Sequence, residues 1–120
     1  MGDDSIRRYV IEDVENGRFE DPHVEPYVHL RRISADPAIR EVTFPPHATL
    51  GTHSHPCDTL YIIRSGEFIV DGEGAYRPGE LRWVRAGVTY GPERAGDEGA
   101  VVLIVSTNGT FGVRWAHHAD

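Results

Sequence analysis

Short runs of apolar and β-branched residues alternate with polar side chains along most of this 120-residue chain, and turn residues separate the runs. Two of these turns, Asp71-Gly72 and Asn108-Gly109, are typical of tight connections between strands. Many short strands with glycine and proline between them indicate an all-β sandwich or small barrel. The pattern predicts a polar loop at 91–99 and strands over residues 27–33, 38–44, 59–64, 67–70, 81–84, 100–106 and 111–115.

The first 26 residues differ from the rest of the chain in charge. They hold 8 of the 19 acidic side chains but only 3 of the 12 basic ones, whereas the remainder is close to balanced. We therefore predict an acidic N-terminal arm at 1–26, a single domain at 27–116 and a short tail at 117–120. Four apolar residues of the arm fit one face of a short helix: Ile6, Val10, Ile11 and Val14.

Composition excludes several classes of function. The formal net charge of −7 disfavours nucleic acid and anionic membranes as partners. No apolar run approaches the ~20 residues of a membrane span, and the acidic N-terminus does not look like a signal peptide, so we expect a cytoplasmic protein. All 12 basic residues are arginine, which excludes Schiff-base chemistry on lysine. The lone Cys57 excludes an intrachain disulfide and a cysteine-based zinc site.

The densest cluster of chemically active side chains begins at His47 and contains three of the seven histidines. His53 and His55 are one residue apart, so an extended chain places both imidazoles on the same face. Two neutral imidazoles that converge in this way supply half of a site for Fe, Mn, Zn, Ni or Cu. The alternative interpretation is a pair of structural histidines at a polar strand end.

Two segments resemble the two motifs of the cupin superfamily, in the family's order. The first consists of Pro46, His53, His55 and, after ten further residues, Gly66. The second consists of Gly79, a five-residue spacer, Arg85-Ala86-Gly87, two residues and Tyr90. The resemblance spans residues 28–115. It implies a double-stranded β-helix, which is a small jelly-roll barrel with a pocket inside, here preceded by a short N-terminal arm.

The sequence departs from the family's motifs where the family places its metal ligands. Thr59 occupies the position of the usual glutamate, and Tyr90 occupies that of the third histidine. His47 replaces the glycine that opens the first motif's spacer. Only His53 and His55 match the usual ligands by type, so the resemblance implies either a metal held by an altered ligand set or a metal that has been lost.

The chemistry of these residue types suggests one ligand set. We predict a divalent metal ion (Fe, Mn, Zn or Ni) held by His53, His55 and either Tyr90 or water, and no organic cofactor. A bound metal would lower the pKa of Tyr90 enough for ligation as a phenolate. As a neutral phenol, Tyr90 would instead donate a hydrogen bond to a substrate oxygen. His47 would supply a third imidazole if its loop folds inward.

Strand alternation predicts which side chains line the pocket. Counting from Thr59 places Tyr61 on the inner face. Trp83 is expected to point inward with Leu81, because Arg82 between them is expected in solvent. A mostly apolar pocket with a few polar groups is typical of a site for a small aromatic or carbonyl-bearing molecule. The predicted lining comprises Thr59, Tyr61, Ile63, Trp83 and His47.

The resemblance implies a small-molecule enzyme of the dioxygenase, isomerase or lyase class. Without a metal, His53 and His55 would act as general base and acid and Tyr90 as hydrogen-bond donor, which suits an isomerase or cyclase. The alternative is a non-catalytic cupin that binds a small ligand and has lost its metal site. Because small cupins are commonly homodimers, the resemblance also implies a homodimer, to whose interface the outward Leu60 and Ile62 would contribute.

Overall fold

The computed structural model shows a chain built almost entirely of β-strands. It describes residues 5–18, 24, 28–106, 108 and 111–116. In these ranges the strands are β1 (Gly17–Arg18), β2 (His29–Ala35), β3 (Ala38–Phe44), β4 (Thr49–Leu50), β5 (His53–Ser54), β6 (Thr59–Val70), β7 (Gly74–Tyr76), β8 (Leu81–Val84), β9 (Glu93–Ser106) and β10 (Arg114–Trp115). The prediction of an all-β fold is confirmed.

The helical element that lies wholly within the described residues is one 3₁₀ turn at Ile11–Asp13. The longer helix expected in the arm does not form, because Ile6 and Val10 are exposed and an unpacked helix of this length has little stability of its own. None of the described residues belongs to a helix with the length and apolar character needed to cross a bilayer.

Eight of the strands form one antiparallel sheet in the order β1-β2-β3-β9-β6-β7, in which β4 also pairs with β9 and β8 with β6. The remaining strands, β5 and β10, pair with each other. The two longest strands, β6 and β9, run side by side along most of their length and shift register twice, on either side of Ser65-Gly66. Bulges of this kind bend strands. The bent sheet closes into the jelly-roll barrel, and a bridge between His53 and Tyr90 joins β5 to the segment before β9.

Part of the predicted N-terminal arm belongs to this sheet. Strand β1 pairs with β2, and the buried Val24 forms an isolated bridge with Leu50. The limits of arm, domain and tail stay predictions, and the tail at 117–120 lies outside the described residues.

The core lies inside the barrel and is packed as the alternation along β6 predicts. Thr59, Tyr61 and Ile63 are all fully buried. Aromatic rings interlock behind them, with Phe68 stacked on Tyr61 at a centroid distance of 5.8 Å and tilted against Phe44 at the same distance. The core therefore contains a polar phenol and a hydroxyl among aliphatic and aromatic side chains.

Strand β8 shows the opposite alternation from the one expected. Leu81 and Trp83 are 61% and 59% exposed, whereas Arg82 is buried. The inward prediction for Trp83 and Leu81 is wrong because the guanidinium of Arg82 donates two hydrogen bonds to the partly exposed carboxylate of Glu73, which makes the burial of Arg82 favourable. Across the strand pairing, Trp83 lies opposite Leu60. The outer face of β6 and β8 is therefore apolar, and the homodimer that such a face would suit stays a prediction.

Gly66 marks the bend at which β6 and β9 cross most closely. Its φ of +74° is in the left-handed region that favours glycine. A Cβ atom at this position would also clash with the carbonyl oxygen of Gly99 on β9. The glycine is therefore required by backbone conformation and by space at once.

Substitution of Gly66 by alanine provides a test of this packing. Gly72 is the matched control, because its φ of +83° is similar but an added Cβ would meet no atom within 4 Å. We expect Gly72→Ala to lose about 1–2 kcal/mol from backbone strain alone, and Gly66→Ala to lose about 1–3 kcal/mol more from overpacking. Urea unfolding of both variants measures the difference, and equal losses would contradict the close approach of the two strands.

Candidate functional site

Two buried histidines form the centre of the site. His53 lies on β5, and one residue separates it from His55. The extended chain therefore presents both rings on one side, as their spacing predicts. The ring centroids are 5.0 Å apart. Two backbone hydrogen bonds of 3.0 Å between His53 and Tyr90 fix the segment in the barrel. The chain therefore positions this pair rigidly.

Backbone carbonyls determine the tautomer of each imidazole. The Nδ1 atom of His53 lies 2.6 Å from the carbonyl oxygen of Gly51, and that of His55 lies 2.5 Å from the carbonyl oxygen of Gly112. Because a carbonyl only accepts hydrogen bonds, each Nδ1 carries the proton and each Nε2 keeps a lone pair. Burial lowers the pKa of His53, and burial lowers the pKa of His55 to about 4. Both rings are therefore neutral bases at pH 7.

A chain of two phenols leads away from His55. The Tyr61 hydroxyl is 3.3 Å from Nε2 of His55, and it also contacts the Tyr90 hydroxyl. Since the imidazole nitrogen accepts, Tyr61 donates to His55 and accepts from Tyr90. Burial raises the pKa of both tyrosines above the usual range. Both phenols stay protonated and act as hydrogen-bond donors.

Glu93 is a site residue that the sequence analysis missed. It was placed in a polar loop at 91–99, which is wrong, because β9 begins at Glu93 and its carboxyl is fully buried. Its Oε1 is 4.0 Å from Nε2 of His53, and its Oε2 has no hydrogen-bond partner among the described residues. Burial raises the pKa of Glu93 to about 8, although Arg82 opposes the shift. The group is a neutral carboxylic acid at pH 7. The one available signal was its alternation with the small apolar Ala95.

Arg82 is the second residue that was missed. It donates two hydrogen bonds of 2.7 Å, from Nε and Nη2, to the two carboxylate oxygens of Glu73. Its guanidinium lies 4.8 Å over the ring of Tyr61 and 4.3 Å over that of Tyr90. Burial is the largest single influence and opposes the charge of Arg82, but the hydrogen bonds to Glu73 and the attraction of nearby acidic groups together outweigh it and raise the pKa of Arg82. Arg82 is a permanent cation behind the two phenols.

A cavity of about 230 Å³ lies inside the barrel, and its wall includes His53, His55, Tyr61 and Glu93. This volume is below the roughly 300–1,000 Å³ of pockets for drug-sized ligands, so the cavity suits a small molecule. Aliphatic and aromatic side chains form most of the wall, including Phe111 and Trp115 from the end of the described chain. The polar side chains in the wall are His53, His55, Tyr61, Glu93, Arg32 and Arg40.

The structure brings together only some of the predicted site residues. His53, His55 and Tyr61 line the cavity, while Tyr90 lies behind Tyr61 and touches it through its hydroxyl. Thr59 and Ile63 are buried in the packing but do not line the cavity. The Thr59 hydroxyl donates a hydrogen bond of 3.1 Å to the carbonyl oxygen of its near neighbour Cys57.

The expectation that His47 turns inward is wrong. Its side chain is 64% exposed, and its Nε2 lies 3.3 Å from the exposed carboxylate of Asp97. The backbone N–H of His47 donates to the carbonyl of Gly96, which holds the turn on the surface. A third imidazole from this loop is therefore excluded from the cavity.

The predicted metal was compared with the donors actually present. Within the described residues, no three histidine, cysteine, aspartate or glutamate side chains form a metal-binding group. His53 and His55 offer two nitrogens, but the oxygens beside them belong to the protonated carboxyl of Glu93 and to the protonated phenols of Tyr61 and Tyr90. The cation of Arg82 over both phenol rings further disfavours a second positive charge. The donor set does not fit a resident divalent metal, and no step below uses one.

Several solved structures of known proteins share this architecture, although the sequence comparisons find no match. No protein-family model matches the sequence, and no curated protein matches it. The fold matches the polyketide cyclase RemF from Streptomyces resistomycificus, with a TM-score of 0.75 and 18% identity over 92% of this chain and 85% of that one. It also matches a cupin-like protein from Thermotoga maritima, with a TM-score of 0.67 and 21% identity over 84% and 85% of the two chains. A sugar phosphate isomerase from a cupin superfamily of Silicibacter pomeroyi gives a TM-score of 0.65 and 16% identity over 92% and 94%.

The strand order, the closed barrel and its internal cavity define a jelly-roll barrel with a cavity inside. The Thermotoga maritima and Silicibacter pomeroyi structures are described as cupin-like and as a member of a cupin superfamily, so the chain has the cupin fold. This confirms the resemblance drawn from the two motifs. At these sequence identities the likeness shows the fold, and the chemistry has to be argued from the site itself.

Proposed function

We propose that the protein is a small-molecule enzyme that moves a proton on a carbonyl-bearing substrate, as an isomerase or cyclase does. The observation that carries the proposal is the pair of neutral imidazoles, His53 and His55, whose Nε2 lone pairs face an enclosed cavity beside a buried carboxylic acid, Glu93. The shared fold with a polyketide cyclase and a sugar phosphate isomerase supports this class of reaction.

His53 is the better placed of the two bases. Its Nε2 has no hydrogen-bond donor nearer than the Glu93 carboxyl at 4.0 Å among the described residues, whereas Nε2 of His55 already accepts from Tyr61. In the proposed step, Nε2 of His53 takes the proton from the carbon next to the substrate carbonyl, and the electron pair of that C–H bond moves onto the carbonyl oxygen.

The negative charge that develops on the substrate oxygen requires donors. Glu93 is protonated at pH 7, and its second oxygen has no partner, so it donates to the oxyanion as a neutral acid. The Tyr61 hydroxyl has one proton and donates it to Nε2 of His55, so stabilisation of the oxyanion is assigned to Glu93. Return of the proton from His53 to a different carbon of the same molecule completes an isomerisation, with no oxidant or reductant consumed.

Solvent-deuterium exchange tests this step without knowledge of the natural product. A panel of small 1,3-diketones and 2-oxo acids is incubated in D₂O with the protein, and proton NMR follows loss of the signal at the carbon next to the carbonyl. We expect His53→Gln to reduce the protein-catalysed exchange about 10²–10⁴-fold, because it removes the general base. His47→Gln is the matched control and leaves the rate unchanged, since His47 lies outside the cavity.

Equal exchange by wild-type protein and by His53→Gln would contradict the proposed base. The exchange is also expected to survive dialysis against a chelator, and its loss with recovery on adding Fe, Mn, Zn or Ni would return the predicted metal to the mechanism.

The second candidate function is a ligand-binding cupin without catalysis, which the absence of the motif's glutamate and third histidine favours. Binding of panel compounds without exchange would support that alternative. The small-molecule ligand, the homodimer, the cytoplasmic location and the exclusion of nucleic acid and membrane stay predictions.

A further inference from the structure

Two arginines that have no carboxylate partner among the described residues lie in the wall of the cavity. Arg32 on β2 and Arg40 on β3 are directly opposite each other in the antiparallel pairing. Like charges in this position repel each other and destabilise the pair. Because Arg32 is exposed and Arg40 half-buried, the cavity reaches solvent on their side. No carboxylate among the described residues forms an ion pair that offsets this repulsion.

In the described part of the chain, two other arginines of this sheet form ion pairs with an acidic side chain, unlike Arg32 and Arg40. Arg31 and Arg64 both form ion pairs with Glu41. Among the described residues, no ion pair joins Arg32 or Arg40 to an acidic group, and the Nη1 atom of Arg40 is buried without a hydrogen-bond partner. An unpartnered guanidinium N–H in a cavity wall is an available site for an anionic group.

Phe111 connects this site with the histidines. Its ring lies 4.0 Å from the guanidinium carbon of Arg40 and has a centroid distance of 4.6 Å to the ring of His55. One aromatic ring therefore contacts both the unpaired cation and the proposed acid–base pair. A ligand no longer than a small aromatic acid spans from one to the other.

We propose that the ligand of this cavity is a small carboxylic acid whose carboxylate binds Arg40 and Arg32 while its carbonyl group lies at His53 and Glu93. The proposal rests on the proposed function for the position of the carbonyl, but not for the position of the carboxylate. A planar guanidinium fork matches a carboxylate through two parallel hydrogen bonds. The cavity of about 230 Å³ favours a carboxylate over the larger phosphate as the anion.

The test compares acids with their neutral counterparts. Phenylpyruvate, benzoylformate and 2-oxobutanoate are each paired with the corresponding amide, and calorimetry measures Kd for wild-type protein and for Arg40→Gln. We expect at least one acid to bind wild-type protein about 10- to 100-fold more tightly than its amide, and Arg40→Gln to lose that preference. Arg64→Gln is the matched control, because Arg64 pairs with Glu41 and does not line the cavity.

Thermal unfolding shows that the variant is folded and supplies a second measurement. Without ligand, Arg40→Gln is expected to melt no lower than wild type, since the repulsion from Arg32 is removed. Arg32→Gln should likewise weaken the preference for the acid. If no acid of the set is preferred over its amide, or if Arg40→Gln keeps the preference, the inference is overturned. Stabilisation of wild-type protein by inorganic phosphate but by none of the acids overturns it in favour of a phosphate ligand.

The deuterium exchange assay separates this inference from the proposed function. Phenylpyruvate and 2-oxobutanoate carry a C–H next to the ketone, so binding of either through Arg40 with no exchange above that of His53→Gln would leave the carboxylate site standing and remove the catalytic role. If an acid and its amide exchange at equal rates and bind with equal Kd, the catalytic role of His53 stands and the carboxylate site is removed.

Discussion

Replacement of Glu73 by glutamine is expected to lower the free energy of unfolding by about 3–5 kcal/mol, because it leaves the charge of Arg82 buried without its partner. Replacement of Arg82 by methionine is expected to lower it by only about 1–3 kcal/mol. The difference follows from exposure: the side chain of Arg82 is 4% exposed and that of Glu73 is 31% exposed. The carboxylate left by Arg82→Met reaches water, whereas the guanidinium left by Glu73→Gln does not.

A double-mutant cycle with urea unfolding measures this asymmetry. The double variant Glu73→Gln/Arg82→Met should be more stable than Glu73→Gln alone, since it no longer contains the buried, unpaired guanidinium of Arg82. Glu67→Gln is the control, because Glu67 pairs with the largely exposed Arg77 and its loss should cost no more than about 1 kcal/mol. A Glu73→Gln variant no less stable than Glu67→Gln would show that the Arg82 guanidinium is not held where the structure places it.

Stability is also expected to decline on the alkaline side of about pH 6.5, which is unusual for a protein rich in acidic residues. Burial raises the pKa of Glu93 from 4.5 to about 8. Between these values the unfolded chain has released the proton that the folded chain still holds, so rising pH favours unfolding. One proton contributes about 1.4 kcal/mol per pH unit, which gives a loss of about 2 kcal/mol between pH 6.5 and pH 8.

The histidines oppose this trend on the acid side. Burial lowers the pKa of His55 from 6.5 to about 4 and also lowers that of His53, so below pH 6.5 the unfolded chain binds protons that the folded chain does not. Their contribution is complete above pH 6.5 and is lost as the pH falls toward their folded-state pKa values. Together with Glu93, the two histidines place the maximum of stability near pH 6.5.

Urea unfolding at intervals from pH 5 to pH 9 tests the profile. Glu93→Gln should abolish the alkaline decline, because the amide does not ionise, whereas the exposed Glu98→Gln should retain it. A wild-type protein whose stability stays constant or increases from pH 6.5 to pH 8 would show that Glu93 is ionised in the folded state. The role of Glu93 as a neutral donor would then be wrong.

The histidine pair and the inner face of β6 could be predicted because both depend only on the two-residue period of a strand. That period places His53 and His55 on one side and buries Tyr61, whatever the rest of the chain does. The fold followed from two motifs whose glycines and histidines report local backbone geometry, and Gly66 illustrates this with its positive φ and its contact with β9.

The polar half of the site could not be predicted, because it depends on pairing between distant segments. Arg82 was expected in solvent, and only its bonds to Glu73 across the sheet make its burial favourable. Glu93 was read as part of a polar loop, and it is buried because β9 pairs it with Leu50 on one side and Val70 on the other. For Arg82 a single sequence carries no local signal, and for Glu93 it offers only the alternation with Ala95.

The two tryptophans of the chain lie in opposite surroundings, and this gives the protein its own optical reporter. Trp83 is in solvent on the outer face of β8, while Trp115 lines the cavity with its ring centroid 5.1 Å from that of His53. Indole emission depends on the polarity and on the quenching groups around the ring. A molecule that enters the cavity displaces water from one indole and leaves the other untouched. The fluorescence of the unmodified protein therefore contains both a sensor of occupancy and an internal reference for it.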